Sequence, residues 1–150
     1  MRTIANQLEK YINAHIEALH AIPENKMAAK PAPGKWSPKE ILGHLIDSAQ
    51  SNIRRFVMAQ YEDEPYIVYN QDKWVALNGY QHWNTKDIID LWYQLNKQVC
   101  RILENMPAEK ADRTCRTELV HSISWLASDY LKHLEHHLQV ILELEPVNYP

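Results

Sequence analysis

Glycine is scarce in this chain of 150 residues. Only 3 occur, against 8 prolines. A many-stranded sandwich or barrel uses glycine-rich turns, so the count argues against an all-β fold. Gly34, Gly43 and Gly79 also stand far apart, so neither a GxGxxG nor a GxxxxGKS/T phosphate loop exists. Cysteine is nearly absent as well. Cys100 and Cys115 have no CxxC spacing, which excludes a disulfide framework and reads as a reduced pair of cytoplasmic thiols. Blocks of like charge are missing. The net charge is -3, from 16 Lys+Arg and 19 Asp+Glu, and no basic stripe suggests a nucleic-acid partner. No apolar run approaches the roughly 20 residues a membrane span needs. The first ten residues hold no continuous apolar stretch, so a secretory signal is not expected and the cytoplasm is the expected location.

What is present is a foldable core. The composition is 45% hydrophobic and 23% charged, which excludes intrinsic disorder and suits one domain spanning residues 1–150. Aromatics are skewed: 5 Trp and 8 Tyr stand against 1 Phe, and there are 8 His.

Four helical segments are readable. The first runs from about Thr3 to Ala21, with Ile4, Leu8, Ile12 and Leu19 at helical spacing and Pro23 beyond it. The second opens on Ser37-Pro38-Lys39-Glu40, a capping box with proline at the first helical position, and continues to about Tyr61. Here Trp36 reads as a hydrophobic staple. The third starts at the cap Thr85 and ends near Met106-Pro107, with Ile88, Trp92, Leu95, Val99 and Ile102 on one stripe. The fourth starts near Ser122 or Ser124 and ends before Pro146. Between the second and third lies a connector from Glu62 to Asn84, rich in Tyr and Trp. Its length is unusual for a plain link and points to function. These features predict an all-α fold: a four-helix bundle with a long crossover between helices 2 and 3.

The chemistry-bearing pattern is His133-Leu-Glu-His136-His137. His133 and His137 lie four apart, on one face of a helix and one turn from each other. Their imidazoles can converge on one ion at about 2.0–2.1 Å. His136 falls roughly 60–100° away and is not expected to be a ligand. Residue 134 is Leu, so the pair is not HExxH and brings no general base. A third candidate, His44, sits on the edge of its helix's apolar stripe, and Ser48, Ser51 and Arg55 continue that edge. Two readings stay open for it: a solvated face, or one wall of a polar pocket. His15 reads as a core histidine, His20 and His121 flank helix ends, and His82 lies in the crossover. Cys100 reads as a buried, inert thiol.

Three segments together carry a resemblance: residues 44–55, from His44-Leu-Ile-Asp47-Ser48 to Arg55; Tyr69-Asn70-Gln-Asp-Lys-Trp74; and Tyr130-Leu-Lys-His133-Leu-Glu-His136-His137 to Ile141. In this order the chain resembles the DinB/YfiT-like superfamily of metalloenzymes, most closely its bacillithiol-transferase-like branch. The resemblance implies a divalent metal, nickel or zinc, held by His44, His133 and His137. It also implies transfer of a low-molecular-weight thiol such as bacillithiol to an electrophilic small molecule, with the thiol as co-substrate. Metal-dependent hydrolysis and a non-catalytic metal-binding bundle are the alternatives. The extra histidine that bacillithiol transferases often carry after the Asp-Ser pair is replaced by Ala49. Two readings stay open for Arg55: a bidentate donor that receives a carboxylate of the thiol, or a surface arginine. Tyr69, Asn70 and Trp74 have two readings as well: a lid over the metal, or aromatics that pack the long crossover. No residue is assigned as catalytic from the sequence. The expected partner is a small molecule, and a homodimer through an apolar helix face is compatible with the sequence.

Overall fold

The computed structural model describes residues 1–146 and 149. Six helices form: α1 (Arg2–His20), α2 (Glu24–Met27), α3 (Pro38–Met58), α4 (Gln71–Asn78), α5 (Thr85–Asn105) and α6 (Ile123–Leu142). Two short strands, β1 (Thr114–Arg116) and β2 (Val120–Ser122), pair antiparallel in front of α6. The four long helices are the four that periodicity predicts, and they make a four-helix bundle.

Local chemistry sets the helix starts. At α3, Ser37 Oγ accepts from the Glu40 backbone N–H, and Glu40 Oε2 accepts from the Ser37 N–H, so the capping box closes with Pro38 at the first position. Loss of such a cap costs about 1 kcal/mol. α5 is capped by Asn84, whose Oδ1 accepts from the Lys86 N–H, not by Thr85. Thr85 is the first helical residue, and its hydroxyl bonds Glu24 instead. α6 is capped by Ser122, which accepts from the Trp125 N–H.

Packing follows the apolar stripes. α1 and α3 each pack against both α5 and α6, so α1 and α3 face each other across a diagonal of the bundle. Leu8, Ile12 and Leu19 of α1, Leu42, Ile46 and Phe56 of α3, Ile88, Trp92 and Leu103 of α5, and Leu134 and Leu138 of α6 are fully buried in one cluster. Each such side chain contributes about 1.5–3 kcal/mol by leaving water. α3 and α6 run antiparallel. His44, in the second turn of α3, meets His133 and His137, while Phe56 three turns later meets Tyr130, with ring centres 6.3 Å apart. No helix among the described residues is long and apolar enough to cross a membrane.

The crossover is not a bare loop. Asn70 caps α4 through its side-chain oxygen, and Gly79 ends that helix in the left-handed region at φ 63°. A 3-10 turn, Tyr80–His82, follows. The preceding stretch pairs with β1: the Ile67 N–H donates to Arg116 O at 2.9 Å, and the Arg116 N–H donates to Pro65 O at 3.0 Å. Arg113 donates to the carbonyls of Ala59 and Glu62 at 2.6 and 2.8 Å, which ties the hairpin to the end of α3. The hairpin thus holds the first half of the crossover beside the open end of the polar face of α3.

Candidate metal centre

The helix α3 carries an unusual load for a buried face. His44, Asp47, Ser48, Ser51 and Asn52 are all buried among its apolar residues. The edge continued by Ser48 and Ser51 is therefore the inside wall of a polar spine and not a solvated face. His44 is 2% exposed, and its Nε2 lies 3.0 Å from Nε2 of His133, 89 residues away in sequence. His137, one turn further on α6, brings its ring centre to 5.0 Å from that of His44 and 4.5 Å from that of His133. One ring nitrogen from each of the three lies within 4.8 Å of the others.

This donor set fits a metal ion. Two nitrogens held at about 2.0–2.1 Å by one ion stand about 2.9 Å apart at a right angle and about 3.4 Å at the tetrahedral angle. The observed 3.0 Å falls between these limits. Burial is also the main reason the imidazoles stay neutral. It pushes the pKa of His133 down to about 3, helped by its His137, His44 and His136 neighbours. It pushes His44 and His137 down to about 4, with repulsion from His137 and His136 respectively. Neutral imidazoles present lone pairs, which a metal requires. No Asp, Glu or Cys joins the cluster among the described residues. A divalent ion there keeps its whole charge, and three protein ligands leave coordination positions for a substrate.

His136 lies outside the cluster. Its Nδ1 meets the Gln139 side chain at 3.3 Å, as its position on the wheel predicts. His15 is only partly buried and is not a core histidine. Its Nδ1 meets the Tyr11 carbonyl at 2.8 Å, a partner one turn earlier that sequence spacing hid. His82 is exposed. His121 stacks on Trp125 with ring centres 3.7 Å apart.

Of two cavities in this region, one has His137 in its wall and the other is lined by none of the three histidines. The first, of about 400 Å³ and mostly apolar, is walled by Pro31, Gly34, Trp36, Ile41, Gln71, Asp72 and His137 among others. Trp36 does more than staple α3, because its ring centre lies 5.2 Å from that of His44. The other cavity, of about 440 Å³, is polar. Arg55, Tyr69, Gln71, His121, Asp129 and Tyr149 stand in its wall. Gln71 borders both.

The expected substrate residues separate here. Arg55 and Tyr69 wall the polar cavity. Trp74 packs edge-on to Tyr69 at 5.4 Å between ring centres. Asn70 is exposed, and its side-chain oxygen caps α4. Arg55 donates Nε–H and Nη2–H to the Ile67 carbonyl at 3.3 and 3.1 Å, and Nη1–H to Asn52 Oδ1 at 3.3 Å. No carboxylate of the described residues forms an ion pair with it, and two of its five N–H groups are left for a ligand.

Two neighbours escape sequence reasoning. Tyr149 returns from beyond α6 and lays its ring 5.7 Å from that of His133, its hydroxyl donating to Asp129 at 3.2 Å. That reversal starts at Glu143, in the left-handed region at φ 54°, which no motif announces. Asp47 is fully buried and accepts from Tyr80 Oη at 2.6 Å and from Asn78 Nδ2 at 3.1 Å. Burial pushes its carboxyl up to about 6, against the lowering effect of the Tyr80 bond. The signal available for Asp47 was its place one helical turn from His44.

Comparison with solved structures places the same architecture elsewhere. YfiT from Bacillus subtilis, described as a probable metal-dependent hydrolase with an unusual four-helix bundle topology, superposes with a TM-score of 0.84. The two share 18% identity, over 95% of this chain and 84% of that one, so the likeness concerns the fold. No curated protein matches the chain. The DinB superfamily model matches residues 7–141, from the first helix to the end of the helix that carries His133 and His137. With most of its length so matched, the chain belongs to the DinB superfamily.

Proposed function

We propose that the protein is a metal-dependent enzyme in which His44, His133 and His137 hold one divalent ion, nickel or zinc, and that it transfers a small thiol to an electrophilic molecule. The observation that carries this reading is the convergence of three neutral ring nitrogens within 4.8 Å, with His137 in the wall of a cavity. Imidazole donors suit zinc and nickel alike. A bound ion of this kind lowers the pKa of a thiol or of water and supplies a nucleophile at neutral pH.

The protein's own residues favour sulfur. No carboxylate stands in the cluster to take a proton from water, and a thiol needs less help to ionise. The cavity at His137 and the polar cavity that shares Gln71 with it offer room for two reactants. Arg55, with N–H groups to spare, receives a carboxylate of the thiol, and Tyr69, packed by Trp74, borders the same cavity. The electrophile lies on the Trp36 side. In the reaction the sulfur–carbon bond forms, the bond from that carbon to the leaving group breaks, and the thiol proton passes to solvent. The test is turnover of a generic electrophile by metal-loaded protein with bacillithiol and with other low-molecular-weight thiols. Metal-dependent consumption of both reactants supports the reading, and none with any thiol contradicts it.

A second reading is hydrolysis at the same centre. It is favoured by the likeness to YfiT, described as a probable metal-dependent hydrolase. Ester or amide cleavage without added thiol separates it from the first.

A further inference from the structure

Within the described residues, three buried side-chain polar atoms have no hydrogen-bond partner: His44 Nδ1, Asp47 Oδ2 and Trp92 Nε1. Two of them belong to one turn of α3. Position 47 lies about 60° from position 44 on the helical wheel, and side chains three apart stand about 5–6 Å from each other at Cβ. A donor and an acceptor left unmatched at that range, in a buried site, are within reach of one bridging water. Such a water needs polar partners, and these two atoms supply them.

The rest of Asp47 is fixed. Both its donors, Tyr80 Oη and Asn78 Nδ2, sit on Oδ1, which leaves Oδ2 free. Tyr80 is wedged against Gly43, where any Cβ would come within 2.1 Å of its ring. Asp47 is also the one fully buried carboxylate among the described residues, and no cation pairs with it. A buried acid without a cation destabilises the fold unless something nearby repays it.

Resting on the metal-centre reading above, we infer that Asp47 is a positioning residue for His44: through one water it accepts from Nδ1–H of the imidazole, so that the Nε2 lone pair points at His133 and His137. The tautomer follows. With the proton on Nδ1, His44 Nε2 is an acceptor, and the 3.0 Å contact is compatible with a bond from His133 Nε2–H. To offer Nε2 to an ion, His133 would change tautomer, its proton leaving Nε2 for solvent while Nδ1 takes one up, whereas His44 is already in the ligating form. An outer carboxylate of this sort orients a metal-binding histidine and raises its basicity.

The experiment uses the full chain, metal-free and then titrated with zinc. Long-range proton–nitrogen NMR assigns the His44 tautomer, and competition with a chelator gives the zinc affinity. Asp47→Asn keeps an acceptor and loses the charge. Asp47→Leu removes both. The expected result is an Nδ1–H tautomer in the wild type, with zinc affinity lowered about 10-fold in Asp47→Asn and up to about 100-fold in Asp47→Leu. Tyr80→Phe, which leaves Oδ2 untouched, serves as a second variant if Asp47→Leu does not fold. It is expected to lower the midpoint of thermal unfolding while leaving the His44 tautomer in place. An Nε2–H tautomer at His44 in the wild type overturns the inference. So does an unchanged zinc affinity in folded Asp47→Asn, because a purely structural aspartate moves stability alone. Wild-type protein that shows the Nδ1–H tautomer but binds no metal upholds the pairing and overturns the metal-centre reading instead.

Discussion

Gly43 and Tyr80 are in contact so close that only glycine fits: a Cβ at position 43 would stand 2.1 Å from Cδ2 of the Tyr80 ring. Tyr80 is thereby pressed onto α3 with its hydroxyl on Asp47. One missing side chain thus fixes the wall next to His44. Gly43→Ala is expected to displace Tyr80 and to destabilise the fold by at least about 1–3 kcal/mol, the usual effect of overpacking. Urea denaturation of the variant beside the wild type measures it. Unchanged stability would mean that the ring moves away freely.

The pH dependence of stability has a definite sign. His44, His133 and His137 hold pKa values of about 4, 3 and 4 in the folded chain, below the ordinary 6.5. As pH falls below that ordinary value, the unfolded chain takes up protons that the folded chain refuses, so stability is lost between about 6.5 and about 3. Asp47, raised to about 6, works in the opposite direction: its contribution is present at low pH and is lost as pH rises through about 6. Three histidines outweigh one aspartate. The metal-free protein should therefore unfold more readily at pH 4 than at pH 7, and His133→Ala should flatten that dependence. Thermal unfolding across this range checks both, and a wild type equally stable at both values would contradict the burial of the histidines.

Arg55 makes a separable prediction. Arg55→Met should raise KM for an anionic thiol about 10-fold or more, with a smaller change in kcat, because a charge-assisted hydrogen bond is worth about 1.5–3 kcal/mol. It should also lower stability, since the Ile67 carbonyl and Asn52 lose their donor. Arg55→Lys restores charge without the planar fork and should fall between the two. Steady-state kinetics with thiols bearing and lacking a carboxylate tests this, and an equal effect on both would remove Arg55 from substrate recognition.

The cysteines should be inert. Burial pushes the Cys100 thiol up to about 12 and raises that of Cys115, whose Sγ–H also donates to the Pro65 carbonyl at 3.1 Å. A thiol-specific reagent should label neither in the folded protein and both in denaturant. Rapid labelling of either native thiol would contradict their burial.

Much of this architecture is written in periodicity. The long stripes of α1, α3, α5 and α6, the Ser37/Glu40 box and the four-residue spacing of His133 and His137 are local features, and local features survive into the fold. His44 is a candidate from its own helix, but it joins His133 and His137 as a ligand only through family resemblance, since nothing local links it to residues 89 positions away. Short elements left no comparable trace. α4 buries only Val75 and so shows no apolar stripe, and strands of three residues are too short to alternate visibly. Asn84 and Thr85 are both good caps, and only the backbone distinguishes them. Ser48 and Ser51 look like solvent residues until α6 and the crossover close over them. Tyr149 was beyond prediction, because its place depends on where the chain turns back after α6.

The central claim is that three histidines from two helices grip one ion. Elemental analysis of protein purified without an affinity tag tests it most directly, beside His44→Ala, His133→Ala, His137→Ala and, as a control outside the cluster, His136→Ala. The account predicts one divalent ion per chain in the wild type and in His136→Ala, and loss of that ion in each of the other three. Full metal content in any of those three, or no metal in the wild type after incubation with zinc or nickel, would contradict it.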